Sequence, residues 1–194
     1  SKAGSFLGTG TSDYDKYWVA EAIEGENPTI FDTNVFRYRS DNSAMKYKNL
    51  VAISMGFGSS LKYIDDQCFV DLPVFQGLYI PKCITTFYGS AASAYSMVVV
   101  NCNECRQIVF DYDSPDIDIE GENNDLHHTF SGNDKLRAII FPHRLTKIVS
   151  YMCHDNPKLQ LVNIFQKNAK TSLTTFKRYN HFQNTNLQEI HLFV

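Results

Sequence analysis

A short apolar run recurs from Leu50 to the end of the chain, and its spacing constrains the fold more than any other feature. The copies are Leu50, Ile53 and Met55; Phe75, Leu78 and Ile80; Cys105, Ile108 and Phe110; Leu136, Ile139 and Phe141; Leu159, Val162 and Ile164; and Leu187, Ile190 and Leu192. Their starts lie 25, 30, 31, 23 and 28 residues apart, which is the range in which each unit of a stacked array supplies one strand. A weaker pattern sits between the runs. It comprises Leu61, Ile64, Phe69 and Leu72, then Ile84 and Phe87, then Leu145, Ile148, Cys153 and Asn156, then Leu173, Phe176 and Phe182. Two spacings that agree over several copies predict an interaction scaffold built from repeats over residues 50–194.

The stretches LKYIDDQCFVDLPVFQGLYIP (Leu61 to Pro81) and FSGNDKLRAIIFPHRLTKI (Phe130 to Ile148) resemble the BspA-like (Treponema pallidum type) leucine-rich repeat family. The resemblance implies a leucine-rich repeat solenoid, mainly β, with short irregular or helical connections. It breaks at 88–98, where residues are inserted, and at 111–125, where an acidic stretch replaces the expected turn. Residues 1–49 fall outside it. Their aromatics, among them Tyr14, Tyr17, Trp18, Phe31 and Phe36, lie between Gly, Asn and Asp turn signals. They are expected to form a β-rich or mixed N-terminal cap or attachment module, because a stacked array needs its bare end covered. Within that segment, Asp13 to Glu24 reads equally as a helix or an edge strand.

Side chains alternate along a strand, so inward Leu78 and Ile80 leave Gly77 and Tyr79 pointing outward. Applied to every copy, the rule places Tyr79, Val109, Ile140 and Leu161 in an apolar stripe flanked by Glu189 and His191. An exposed apolar patch with a polar rim is a usual mark of a binding surface. The resemblance points the same way, since leucine-rich repeats commonly bind through their sheet face. These six residues are the expected partner-binding set, with a protein or a glycan as the partner.

Other chemistry is poorly supported by the residues. Five cysteines, an odd number, argue against a disulfide framework. By register Cys105 takes a Leu or Phe position, Cys102 the position of Asn133 and Asn156, and Cys153 that of Phe69. This makes them core residues and weakens the zinc reading of Cys102 and Cys105, which lack a second ligand pair beyond the distant His127 and His128. The seven carboxylates between Asp111 and Asp125 do not follow the calcium-loop spacing and read as a solvated insertion. No nucleophile elbow or phosphate loop is present; GFGSS at 56–60 lacks the following Lys. No enzyme activity, metal or cofactor is expected.

Charge is uneven: residues 1–134 hold 9 Lys and Arg against 19 Asp and Glu, and residues 135–194 hold 9 against 2. A basic end can attract an anionic partner, although solvated loop positions explain most such runs and nucleic acid is disfavoured. No run approaches the length of a membrane span, and the amino terminus has no secretory-signal pattern. The final run, Leu187 to Val194, has no capping sequence, so self-association through that strand is expected. Two functions follow. The first is a non-enzymatic binding or adhesion module, at a cell surface or secreted. The alternative is a structural subunit of a phage or virus particle, anchored by its first 49 residues.

Overall fold

The computed structural model describes residues 17–20, 30–31, 36, 47–55, 61–87, 97–119, 128–149, 151–164, 175–176, 182–183 and 185–192. Strands of four residues form where the apolar runs were read: β3 (Ala52–Met55), β6 (Gly77–Ile80), β9 (Gln107–Phe110), β11 (Ala138–Phe141), β13 (Leu161–Ile164) and β15 (Glu189–Leu192), preceded by β1 (Tyr17–Ala20). Two-residue strands lie between them: β2 (Ile30–Phe31), β4 (Tyr63–Ile64), β5 (Phe69–Val70), β7 (Thr86–Phe87), β8 (Val99–Val100), β10 (Asp118–Ile119), β12 (Lys147–Ile148) and β14 (Thr175–Phe176).

All strand pairings among the described residues are parallel. The principal sheet runs β6-β9-β11-β13-β15 and is in register, Leu78 facing Ile108, Ile139 facing Ile108 and Val162, and Val162 facing Ile190. β1 pairs with β3 in a separate sheet. A second ladder holds β2-β4-β7-β10 and, further along, β12-β14. The third is β5-β8, and single backbone bonds extend it on both sides: Phe36 N–H to Cys68 O (3.0 Å), Val99 N–H to Thr129 O (2.9 Å) and Phe130 N–H to Met152 O (2.8 Å).

This arrangement corrects the leucine-rich repeat solenoid expected from the sequence. Among the described residues there is no helix, and the segments expected as irregular or helical connections instead carry two further parallel ladders. The five sheets remain separate and do not close into one solenoid wall. The physical reason lies in the return path. β5, β7 and β8 bury both of their residues, so where these strands lie the return path is core-forming strand and not an amphipathic helix. From the first 49 residues, β1 and β2 pair with β3 and β4 across residue 49. The Asp13 to Glu24 ambiguity resolves as a strand over Tyr17–Ala20.

The core is one continuous cluster between the ladders. Aromatic rings meet through it from unit to unit: Phe36 stacks on Phe69 (5.2 Å between centroids) and Phe69 on Phe75 (5.5 Å), and Phe110 packs tilted against Phe141 (5.5 Å).

Beside the rings runs a chain of buried polar bonds. Asn133 accepts the Cys102 backbone N–H at Oδ1 (2.9 Å) and donates from Nδ2 to Val99 O (3.1 Å). Asn156 accepts the Asn133 N–H (2.9 Å) and donates to Phe130 O and Cys153 O, both at 2.7 Å. One unit earlier a thiol does the same work. Cys102 Sγ lies 3.3 Å from Phe69 O, to which it donates. These side chains replace the strand hydrogen bonds that a tight turn would otherwise leave unmade in the interior, where an unpaired backbone group is costly.

Candidate functional site

The outward residues of the principal sheet form two columns, each perpendicular to the strands. Gly77, Gln107, Ala138, Leu161 and Glu189 face one another in one; Tyr79, Val109, Ile140, Asn163 and His191 form the other. All six expected partner-binding residues therefore lie on one sheet, although their stripe is stepped. Leu161 stands in the Gly77 column, diagonal to Ile140, and Asn163 takes the place an apolar residue would have had. Tyr79 is 42% exposed. Val109, Ile140 and Leu161 are half-buried and Glu189 is exposed; His191 is placed by its backbone register alone.

Tyr79 is held in position. Its hydroxyl donates to Asp111 Oδ2 at 2.7 Å, and burial together with that carboxylate pushes its phenol up to about 12. Asp111 Oδ1 accepts the Asp113 N–H (2.9 Å). The acidic segment is thus partly structural: Asp111 orients Tyr79, and Asp116 accepts both the backbone N–H and the hydroxyl of Thr146 in the next unit. Residues 120–125 lie outside the described residues, as do the segments 56–60 and 88–96.

β3 sits beside β6 without a ladder. Gln76 donates its N–H to Val51 O (2.9 Å) at the start of the strands, and beyond that point a shallow groove of about 650 Å³ opens, lined by Ala52, Gly77, Tyr79, Arg106, Gln107 and Val109 among others. Gly77 forms its floor because a Cβ there would meet the Gln107 carbonyl oxygen at 2.9 Å.

Sequence reasoning passed over the residues just before each strand. Gln76, Arg106, Arg137, Gln160 and Gln188 are all exposed, and each of the last four donates its backbone N–H to the carbonyl of the one before it at 2.8 to 3.1 Å. The signal was available as a Gln or Arg directly after the first residue of five of the runs. Glu104 pairs with Lys135; that bond and then the charges of Lys135 and Arg106 hold its carboxyl below the usual range.

A second depression of about 350 Å³ lies at the corner after the third ladder, lined by Asn101, His128, Gly132, His154 and Asp155 among others. His128 and His154 approach to 4.4 Å between centroids, and His154 Nε2 lies 3.0 Å from Asp155 Oδ2. The corner is built from left-handed residues at matching places: Asp71, Asn101, Gly132 and Asp155, with φ between 53° and 68°. Among the described residues no group of three or more His, Cys, Asp or Glu side chains has metal-binding geometry. Cys102, Cys105 and Cys153 are buried, as their register implied, and burial pushes each thiol upward, Cys105 to about 12. A thiol held protonated is a poor nucleophile and a poor metal ligand.

Ile190 departs from the expected pattern. It occupies the inward column next to fully buried Val162, yet it is 43% exposed. No helix among the described residues is long and apolar enough to cross a membrane. Comparison with protein-family models, curated proteins and solved structures finds no match, so the BspA-like resemblance rests on the two quoted stretches.

Proposed function

We propose that the chain is a non-enzymatic binding module that engages a protein or glycan through the outer face of its principal sheet. The observation that carries this reading is the in-register column of Tyr79, Val109 and Ile140 beside an open groove. It joins a rigidly held aromatic ring, half-buried aliphatic side chains and amide groups on one surface, and aromatic residues set in a polar surround are characteristic of binding sites. Tyr79 is already fixed by Asp111, so little ordering cost falls on the complex. Buried, protonated thiols and acids used as structural acceptors supply no competing catalytic constellation among the described residues.

The test is a protein and glycan array probed with the native chain and with a Tyr79→Ala/Ile140→Thr variant. The reading expects a partner whose binding the variant weakens at least tenfold with little change in unfolding temperature. It fails if no partner is captured, or if the variant binds as well as the native chain.

A particle subunit remains the second reading, favoured by exposed Ile190 in a column that is otherwise buried. Another copy or neighbouring chain set against β15 would cover it. Concentration-dependent assembly in light scattering, abolished by Ile190→Lys, is its expected signature.

A further inference from the structure

We infer that the ladder of Gln76, Arg106, Arg137, Gln160 and Gln188 is a subsite for a linear polysaccharide bearing carboxylates, of the uronic acid kind, lying across the strands. This rests on the sheet-face reading and names its ligand class.

The geometry supports a polymer. Five exposed polar side chains follow one another on consecutive rungs, tied by backbone bonds of 2.8 to 3.1 Å. At about 4.8 Å per rung they span roughly 19 Å, the length of several sugar units. Charge selects its chemistry. Arg106 and Arg137 are adjacent at the centre, and a guanidinium binds a carboxylate through two parallel hydrogen bonds. Glu104, whose carboxyl feels the charge of Arg106, is already paired with Lys135. Glutamine amides flank the arginines on both sides, and each offers donors and an acceptor, which suits sugar hydroxyls. Gln107 and the ring of Tyr79 continue the surface into the groove.

Two other polyanions fit less well. A peptide that binds a sheet by strand addition must run along the strands, whereas this ladder runs across them. Nucleic acid relies on many phosphate contacts, and here two arginines stand in a chain of net charge −3, with Asp111 bonded to Tyr79 beside the groove.

The test uses the full chain with an octamer of galacturonic acid, its fully methyl-esterified form and a DNA oligonucleotide of equal charge, measured by calorimetry. The variants are Arg106→Gln, Arg137→Gln and the double substitution. Three rungs already carry Gln at this place, so these variants should fold, which a thermal melt checks. The expected result is binding of the acid octamer, loss of roughly tenfold for each arginine, and weak binding of the ester by native and variant chains alike. The inference is overturned if the acid octamer does not bind, if the double variant binds it as well as the native chain, if the ester binds equally well, or if DNA binds more tightly. If the octamer fails while the array still yields a partner sensitive to Tyr79→Ala/Ile140→Thr, only this inference falls. If both fail, the sheet-face reading falls with it.

Discussion

Replacing Asn133 with Ala removes the central link of the buried polar chain, and the cost can be worked from its bonds. Asn133 is fully buried. The substitution leaves the Cys102 backbone N–H without its acceptor and Val99 O without the amide donor. An unsatisfied buried donor costs about 1–3 kcal/mol; the carbonyl adds less, because its second lone pair retains other options. Loss of the amide atoms also leaves a small void in a close-packed interior. Together these come to about 2–4 kcal/mol, a large fraction of the 5–15 kcal/mol that holds a typical domain together. Equilibrium unfolding in urea measures it, with an unchanged slope showing that the unfolded state is not the cause. Gln160→Ala, an exposed amide, serves as the control and is expected to change stability by less than about 0.5 kcal/mol. If Asn133→Ala is as harmless as that control, the reasoning that buried side-chain amides hold successive units in register is wrong.

Three further outcomes follow from single sites. Asp66 is buried and accepts the Met97 N–H (2.9 Å), and burial raises its carboxyl above the ordinary value of 3.8; its contribution to stability is therefore full below 3.8 and lost as pH rises through the folded value, so Asp66→Asn should flatten a stability profile measured by melts across this acid range. Tyr79→Phe should leave neutral-pH stability within about 1 kcal/mol, since the lost bond is exposed. Native Tyr79, raised from 10 to about 12, favours the fold up to pH 10 and loses that contribution between 10 and 12, and the variant should lack this alkaline step in ultraviolet-monitored unfolding. Gly132 has φ +68°, and a Cβ there would collide with Asn101 Oδ1; Gly132→Ala should cost about 1–2 kcal/mol, measured in the same urea series.

The long strands could be read directly because four residues are enough to show alternation. Leu78 and Ile80 are buried and Tyr79 is exposed, as the period of two requires. Register placed Cys102 with Asn133 and Asn156, and the structure shows why a thiol can stand there: all three donate to the carbonyl of an equivalent residue in the third ladder. The return path was harder to read. Strands such as β4, β5 and β7 have two residues each, too few for a period, and their apolar residues fit a connection as well as a ladder. Pairing of β1 with β3 joins residues about 35 apart across an apparent change of texture, and no local signal marks it. The hydrogen bond from Tyr79 to Asp111 depends on a corner conformation one unit away. The exposed Gln and Arg before each strand were visible as residues, but their alignment as a surface ladder needed the register of the sheet.

Hydroxyl-radical footprinting of the chain with a captured partner tests the sheet-face account most directly, because the molecule carries its own control. Tyr79 and Tyr112 are 42% and 41% exposed, so free solvent should oxidise them similarly, yet only Tyr79 lies on the principal sheet. Tyr112 stands at the corner after β9, stacked on His143. The account predicts that the partner shields Tyr79 while oxidation of Tyr112 is unchanged; shielding of Tyr112 alone, or of neither ring, would contradict it.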